Sequence, residues 1–130
     1  MDAKSFTDLA VHRKAHEMVL AMYRLTVRFP REELFGLTSQ ARRAAVSVPA
    51  NIAEGFAKRG RADKLRFYNI AQGSLAECHY YLILARDLGY AQTDDLLAAV
   101  DEVGRMLNAY IQAIASNRRG FFSFLLLLLF

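Results

Sequence analysis

The chain has a single cysteine among its 130 residues, Cys78, which excludes an internal disulfide. Its first ten residues, MDAKSFTDLA, lack the basic start and the apolar run of a secretory signal peptide. Both absences favour a cytoplasmic protein. Leu75 and Leu82 lie one helical turn away on either side, so Cys78 is expected to fill the core rather than act as a nucleophile.

Motifs for catalysis and for cofactor binding are also absent. The chain has no Glu-x-x-His, which a di-iron centre in a helical bundle requires, and no glycine-rich phosphate loop. His12 and His16 are one helical turn apart, but Arg13 stands where a zinc protease has its glutamate, and Lys14 adds a second positive charge. We therefore expect a protein that is not an enzyme, with no catalytic residue, no metal and no cofactor.

Glu54 and Glu77 leave one alternative open. If both faced inward between the second and third helices, burial and mutual repulsion would raise the pKa of at least one of them, as happens at functional sites. The simpler interpretation is that each carboxylate pairs with a nearby arginine or caps a backbone group. We favour the simpler interpretation.

Breaks are few, with two prolines and seven glycines, and four long segments have helical periodicity. Ser5, with Asp8 three residues on, is expected to cap the first helix, and Phe29-Pro30 to end it. The other helices are predicted from Gly36 to Phe56, from an Asp63 cap to Leu88, and from Thr93 to Ile114. Short connections make neighbouring helices antiparallel. The prediction is an all-α, up-down-up-down four-helix bundle over residues 1–119.

The second helix contains Pro49, which removes a backbone hydrogen bond and disfavours helical geometry at Val48. Apolar residues nevertheless keep their three-to-four spacing on both sides of the proline: Leu37, Ala41, Ala45, Val48, Ile52 and Phe56. The pattern predicts one kinked helix rather than two helices.

Residues 120–130 have a different character and are predicted to form an apolar C-terminal tail outside the bundle. Nine of the ten residues in FFSFLLLLLF are apolar. Ten helical residues span about 15 Å, half the hydrocarbon thickness of a bilayer, so we expect no membrane crossing. An accidental end, a docking segment and the start of an anchor all fit this segment, and its role stays open.

Positive charge is concentrated in the middle of the chain. Two acidic residues, Glu54 and Asp63, oppose seven basic ones there, which are Arg42, Arg43, Lys58, Arg59, Arg61, Lys64 and Arg66. Clustered arginine and lysine suit contacts to nucleic-acid phosphates, and the few aromatic residues nearby make base stacking a weaker expectation. We expect these seven residues to bind the backbone of structured RNA or DNA. The alternative is an ordinary solvated basic face.

Two further surfaces are predicted to meet partners. The run YYLILA at residues 80–85 is apolar all round, and its members outside the core-facing stripe, Tyr80, Ile83 and Leu84, are expected to form the interface of a homo-oligomer. On the second helix a polar stripe recurs at helical spacing: Gln40, Arg43, Ser47, Asn51 and Glu54. It is either solvated or faces a partner. The alternative function is therefore a scaffold that recruits another protein and has no nucleic-acid role.

The segment GLTSQARRAAVSVPANIAEGF at residues 36–56 resembles the signature of the four-helix bundle proteins encoded in 23S rRNA intervening sequences, which are related to accessory variability determinants of diversity-generating retroelements. DLAVHRKAHEM, Phe29-Pro30 and IAQGSLAE at residues 70–77 extend the resemblance over about residues 6–116. One departure is His12, where the family more often has an aromatic residue.

The motif positions that this chain shares with the family are Ser39, Gln40, Asn51, Glu54, Gly55, Ser74 and Glu77. Within the motif, Asn51 and Glu54 are expected to order the end of the second helix next to the basic residues. The resemblance implies a ring-forming assembly, expected to be a homopentamer. It also implies RNA, more than DNA, as partner, or a nucleoprotein partner such as a reverse transcriptase. The expected role is that of a ribonucleoprotein accessory factor. The sequence itself reveals no base preference, no biological partner and no oligomer number.

Overall fold

The computed structural model describes residues 3–116, and within that range it is all-helical, with no strand. Two single-turn 3-10 helices, Phe6–Asp8 and Arg31–Glu33, accompany four long helices: α1 (Ala10–Thr26), α2 (Leu37–Ala57), α3 (Arg61–Asp87) and α4 (Asp94–Ala115). Each helix packs against the next along the chain, and α1 closes the bundle against α4. The predicted four-helix bundle is therefore confirmed. The predicted apolar tail, residues 120–130, lies outside the described residues.

The start of α1 differs from the prediction. Ser5 and Asp8 do form a capping box, but it caps the 3-10 turn Phe6–Asp8 and not α1. Leu9 then adopts an extended backbone, with φ −77° and ψ 126°, and its side chain is completely buried. Burying Leu9 in the core requires this break, so α1 begins at Ala10.

Helix α2 is continuous across Pro49, as predicted. The proline leaves the Ala45 carbonyl without its usual backbone donor. The completely buried side chains of Val48 and Ile52 flank it, and Pro49 itself is buried. Packing of α2 between α1 and α3 offsets the cost of the interior proline.

Helix α3 begins two residues before the predicted cap. Gly60 occupies the cap position and Asp63 lies in the first turn, where the helix dipole favours its negative charge. The predicted end at Leu88 is confirmed to within one residue, and Gly89 follows it with a φ of 76°, a left-handed conformation that glycine adopts freely. Gly89 N–H bonds to the Arg86 carbonyl at 3.0 Å and Tyr90 N–H to the Ala85 carbonyl at 2.9 Å, the pattern of a Schellman motif.

The core follows the apolar stripes of the four helices. Apolar spacing predicts that α3 lines the core with Tyr68, Ala71, Leu75, Cys78, Leu82 and Ala85 and that α4 does so with Leu96, Val100, Val103, Leu107, Tyr110 and Ile114, and all of these are buried. The first helix is predicted to contribute Val11, Ala15, Met18, Met22, Leu25 and Phe29. These residues and the α2 stripe are also buried, except Leu25 and Phe56, which are partly buried. Cys78 is completely buried, and burial is the main cause that raises the pKa of its thiol to about 12. The interpretation of Cys78 as core filler is confirmed.

Candidate nucleic-acid interface

The junction between α2 and α3 depends on a glycine at the last turn of α2. A Cβ atom on Gly55 would lie 2.5 Å from Cε1 of Tyr68, closer than a carbon contact allows. The Tyr68 ring is fully buried, 5.3 Å from the ring of Tyr110, and burial raises the pKa of its hydroxyl well above the usual value. Its hydroxyl oxygen has no hydrogen-bond partner among the described residues. Gly55 thus lets α2 and α3 meet closely where the basic residues begin.

Five of the seven predicted basic residues come together at this junction. We call this group the basic corner: Lys58, Arg59, Arg61, Lys64 and Arg66. Lys58 is the C-cap residue of α2, and Arg61 opens α3 after a turn of three residues, 58–60. Both Arg59 and Arg61 are exposed. A single acidic residue, Asp63, lies within the same stretch of chain.

Lys64 differs from the rest of the basic corner because its ammonium group is used within the fold. Its Nζ donates to the carbonyls of Phe56 at 2.8 Å and Gly55 at 3.3 Å in the last turn of α2, where carbonyls lack the usual helical donors. The Gly55 carbonyl also accepts the Lys58 N–H at 3.2 Å. A cation at the negative end of a helix is also favoured by the helix dipole. Burial lowers the pKa of Lys64. Lys64 therefore caps the end of α2 from the first turn of α3.

The ring of Phe67 lies under two cations of the basic corner. Lys58 Nζ is 5.1 Å and Arg66 Cζ is 4.6 Å from its centroid, both within cation–π range. Arg66 also approaches Asp63, with 4.0 Å between Nε and Oδ1, but both side chains are more than half exposed. An ion pair of that kind contributes little.

Arg42 and Arg43 lie apart from this group, so the seven predicted residues do not form one continuous cluster, and their binding of nucleic acid stays a prediction. Arg42 packs on α1, where its Nε donates to Thr26 Oγ1 at 2.8 Å and its guanidinium lies 4.7 Å from the centroid of the Tyr23 ring. Arg43 is exposed, but fifteen residues of helix put it about 22 Å from Lys58. Arg42 and Arg43 belong to the same basic segment of the sequence as Lys58, but the length of α2 separates them from it in the fold.

Two of the family-motif residues, Asn51 and Ser74, form a hydrogen-bonded group with Ser47 between α2 and α3. The hydroxyls of Ser47 and Ser74 are 2.7 Å apart, and Asn51 Nδ2 donates to the Ser47 carbonyl at 2.8 Å and to Ser47 Oγ at 2.9 Å. Ser74 is buried. The middle of the polar stripe therefore joins the two helices, whereas Gln40 is exposed and Ser39 is half-buried.

Glu54 and Glu77 do not form a buried pair, because both are exposed. Glu77 accepts a hydrogen bond from the Tyr81 hydroxyl at 3.1 Å, one turn further along α3. This partner is neither the arginine nor the backbone group that the simpler interpretation expected for Glu77. The structure places no acid–base pair at this position.

The predicted oligomer residues differ in their exposure. Tyr80 is 57% exposed, whereas Ile83 and Leu84 are only partly exposed. Leu84 packs within the protomer against a second small core around Phe29 and Ala85. Part of the apolar surface of YYLILA is thus covered by the chain itself.

An apolar surface that the sequence patterns missed lies at the other end of α2. Phe35 is 94% exposed, and Val27 and Leu34 nearby in the chain are also exposed. We call these three residues the apolar turn. The two ends of α2 are about 30 Å apart, so the apolar turn is distant from the basic corner. The adjacent pair Leu34-Phe35 just before Gly36 was a signal in the sequence, but periodicity analysis does not apply to turns.

Within residues 3–116 no three His, Cys, Asp or Glu side chains are grouped so that they could hold a metal ion. His12 lies edge-on to Phe6, with ring centroids 4.7 Å apart, and burial followed by the charge of His16 lowers its pKa. Of the helices described, none is long and apolar enough to span a bilayer.

Comparison with known proteins gives one family and a similar solved structure. The model of the family described as 23S rRNA-intervening sequence protein matches residues 7–109. A crystal structure described as a protein of unknown function from the S23 ribosomal protein family of Bacteroides thetaiotaomicron is similar, with a TM-score of 0.71 and 25% identity, covering 78% of this chain and 98% of that one. No curated protein matches the chain.

Proposed function

Because this chain belongs to the family of 23S rRNA-intervening sequence proteins, we propose that it binds structured RNA through backbone phosphates at the basic corner. In this proposal it is a binding protein without catalytic chemistry, and the family favours RNA over DNA as its partner. A ribonucleoprotein accessory role follows from such binding.

The observation that carries the proposal is the density of uncompensated positive charge at the basic corner. Arg59 and Arg61 are exposed on either side of Gly60, and Lys58 and Arg66 flank them. With Lys64 committed to α2, four cations are available for phosphates. Four phosphate contacts on a duplex correspond to a slope of about −3.6 in a plot of log affinity against log salt concentration.

Titration of a fluorescent RNA hairpin at about 50 mM and about 200 mM salt tests this. We expect dissociation constants in the micromolar range or tighter at the lower salt, and a loss of about two orders of magnitude at the higher one. Absent binding, or binding that does not respond to salt, would refute the proposal.

Charge reversal locates the binding surface. The variant Arg59→Glu removes a cation from the basic corner. Arg43→Glu is its matched control, because Arg43 is also exposed but lies near the N-terminal end of α2, away from the basic corner. We expect Arg59→Glu, alone and with Arg61→Glu, to weaken RNA binding by tenfold or more. Arg43→Glu should weaken it by less than threefold, because the distance of about 22 Å between Arg43 and the basic corner exceeds two Debye lengths at physiological salt. Equal effects of Arg59→Glu and Arg43→Glu would place the site elsewhere.

Self-association is a second part of the proposal. Leu20 on α1, and Ile70 and Tyr80 on α3, are exposed apolar side chains on the sides of the bundle. Copies that bury these sides would bring several basic corners together, and the resemblance implies five. Light scattering at micromolar concentration should then give a multiple of 14.7 kDa, five times that mass for a pentamer. A stable monomer would contradict this part.

The apolar turn favours a second candidate function, a scaffold that recruits a protein. A single exposed apolar side chain is normal, but the apolar turn has three within nine residues of chain, one of them 94% exposed. A reverse transcriptase is the class of protein partner that the resemblance implies. Pull-down from a native lysate with and without nuclease separates the candidates. A protein retained after nuclease by the native chain, and lost with Phe35→Ser, would support the scaffold.

A further inference from the structure

Phe67 connects the two helices that form the basic corner. Lys58 reaches its ring from the end of α2, and Arg66 reaches it from the second turn of α3. Because each cation lies near the same ring centroid, the two charges are within about 10 Å of each other. Two like charges at this distance repel one another, and the electron-rich face of the ring offsets part of that repulsion.

A positioned cation binds a phosphate more readily than a freely moving one. Lysine and arginine have many rotamers, and fixing them on binding costs free energy. Cations already held over a ring have lost part of that freedom beforehand. The ion pair with Asp63 is too long and too exposed to hold Arg66 in the same way.

We propose that Phe67 is a positioning residue of the basic corner: it holds Lys58 and Arg66 over its ring so that they present a fixed pair of charges to neighbouring phosphates of an RNA strand. The ring serves the cations and not a stacked base, so the surface recognises the backbone of folded RNA in preference to unpaired bases. This inference rests on the proposed function.

Variants of Phe67 test the inference with the hairpin titration. Phe67→Leu keeps apolar bulk but removes the ring face, and we expect RNA binding about three- to tenfold weaker. Phe67→Tyr keeps the face and should stay within twofold of the native chain. The slope of log affinity against log salt concentration should be unchanged in Phe67→Leu, since no charge is lost. Lys58→Ala should make that slope shallower by about 0.9, because one phosphate contact is lost. Melting temperatures establish that each variant folds.

Tyr23→Leu is the matched control. It removes a comparable contact, the 4.7 Å approach of Arg42 to an aromatic ring, at a distance from the basic corner. We expect it to leave RNA affinity unchanged. If it weakens binding as much as Phe67→Leu does, the effect of Phe67 is not specific to the corner and the inference fails.

The background Lys58→Ala, Arg66→Ala distinguishes positioning from stacking. Without the two cations, adding Phe67→Leu should cause no further loss of affinity. A loss that persists in this background, or that is larger for an unstructured oligonucleotide than for a hairpin, would mean that bases stack on the ring, and would overturn the inference.

Failure of the inference can be told apart from failure of the proposed function. In the protein without RNA, NMR should show upfield ring-current shifts for the side-chain protons of Lys58 and Arg66 that disappear in Phe67→Leu. Absence of those shifts overturns the positioning role whether or not RNA binds. Arg59→Glu binding RNA as tightly as the native chain overturns the proposed function instead.

Discussion

Replacing Gly55 with alanine should destabilise the bundle, although alanine is the better helix former. In a helix interior the exchange normally gains about 1 kcal/mol. Here the new methyl group would lie 2.5 Å from Cε1 and 2.9 Å from Cδ1 of Tyr68. The Tyr68 ring is completely buried against Tyr110 and has no space to retreat. Overpacking of a filled core costs about 1–3 kcal/mol, so after the gain in helix propensity we expect a net loss of up to about 2 kcal/mol.

Thermal unfolding followed by circular dichroism measures this loss. For a chain of this length 1 kcal/mol corresponds to about 4 °C, so Gly55→Ala should lower the melting temperature by up to about 8 °C. Gly104→Ala is the matched control, because Gly104 lies within α4 and, beyond its neighbours in the helix, none of the described residues has an atom within 4 Å of the point where its new methyl group would lie. It should raise the melting temperature by a few degrees, gaining up to about 1 kcal/mol. A Gly55→Ala chain that melts at or above the native temperature would refute the close approach of α2 and α3.

Three further predictions concern single residues. Lys64→Met should lower the free energy of unfolding in urea by about 0.5–1 kcal/mol, since it uncaps α2 in a partly solvated position, and should weaken RNA binding less than Arg59→Ala does. Equal losses of affinity would show that Lys64 is a phosphate ligand. Asp63→Asn should tighten RNA binding severalfold in the hairpin titration, because it removes the acid beside Arg66; unchanged affinity would contradict this. Cys78 should react with a thiol reagent at pH 8 only after unfolding, because burial raises its pKa to about 12 and keeps the thiol neutral below that pH. Fast labelling of the native chain would contradict this prediction.

The sequence was sufficient for the bundle because its information is periodic. The apolar stripes of α3 and α4 were predicted without an error, and Gly89 marked the end of α3, since each depends on spacing within one helix. Leu9 shows the limit of that reasoning. Its position in the core requires a break before α1. The burial of Leu9 depends on how several helices pack around it, and the spacing of residues within one helix does not contain that information.

The candidate site was predictable in composition but not in arrangement. Charge density along the chain identified the residues of the basic corner, yet it could not separate Arg42, which bonds to α1, or Lys64, which caps α2. Arg42 bonds to Thr26, which lies on another helix, and Lys64 bonds to Phe56 across the turn between α2 and α3. Sequence alone shows Phe67 only as an aromatic residue near the basic ones, because the two cations over its ring come from different helices.

Hydrogen–deuterium exchange of the protein with and without an RNA hairpin is the most direct measurement of where RNA binds, and it applies to any oligomer. Phosphates bound at the basic corner should slow amide exchange in residues 57–67 in the native chain, and Arg59→Glu with Arg61→Glu should abolish that protection. Protection centred on the apolar turn or around Arg43, with none in residues 57–67, would contradict the account.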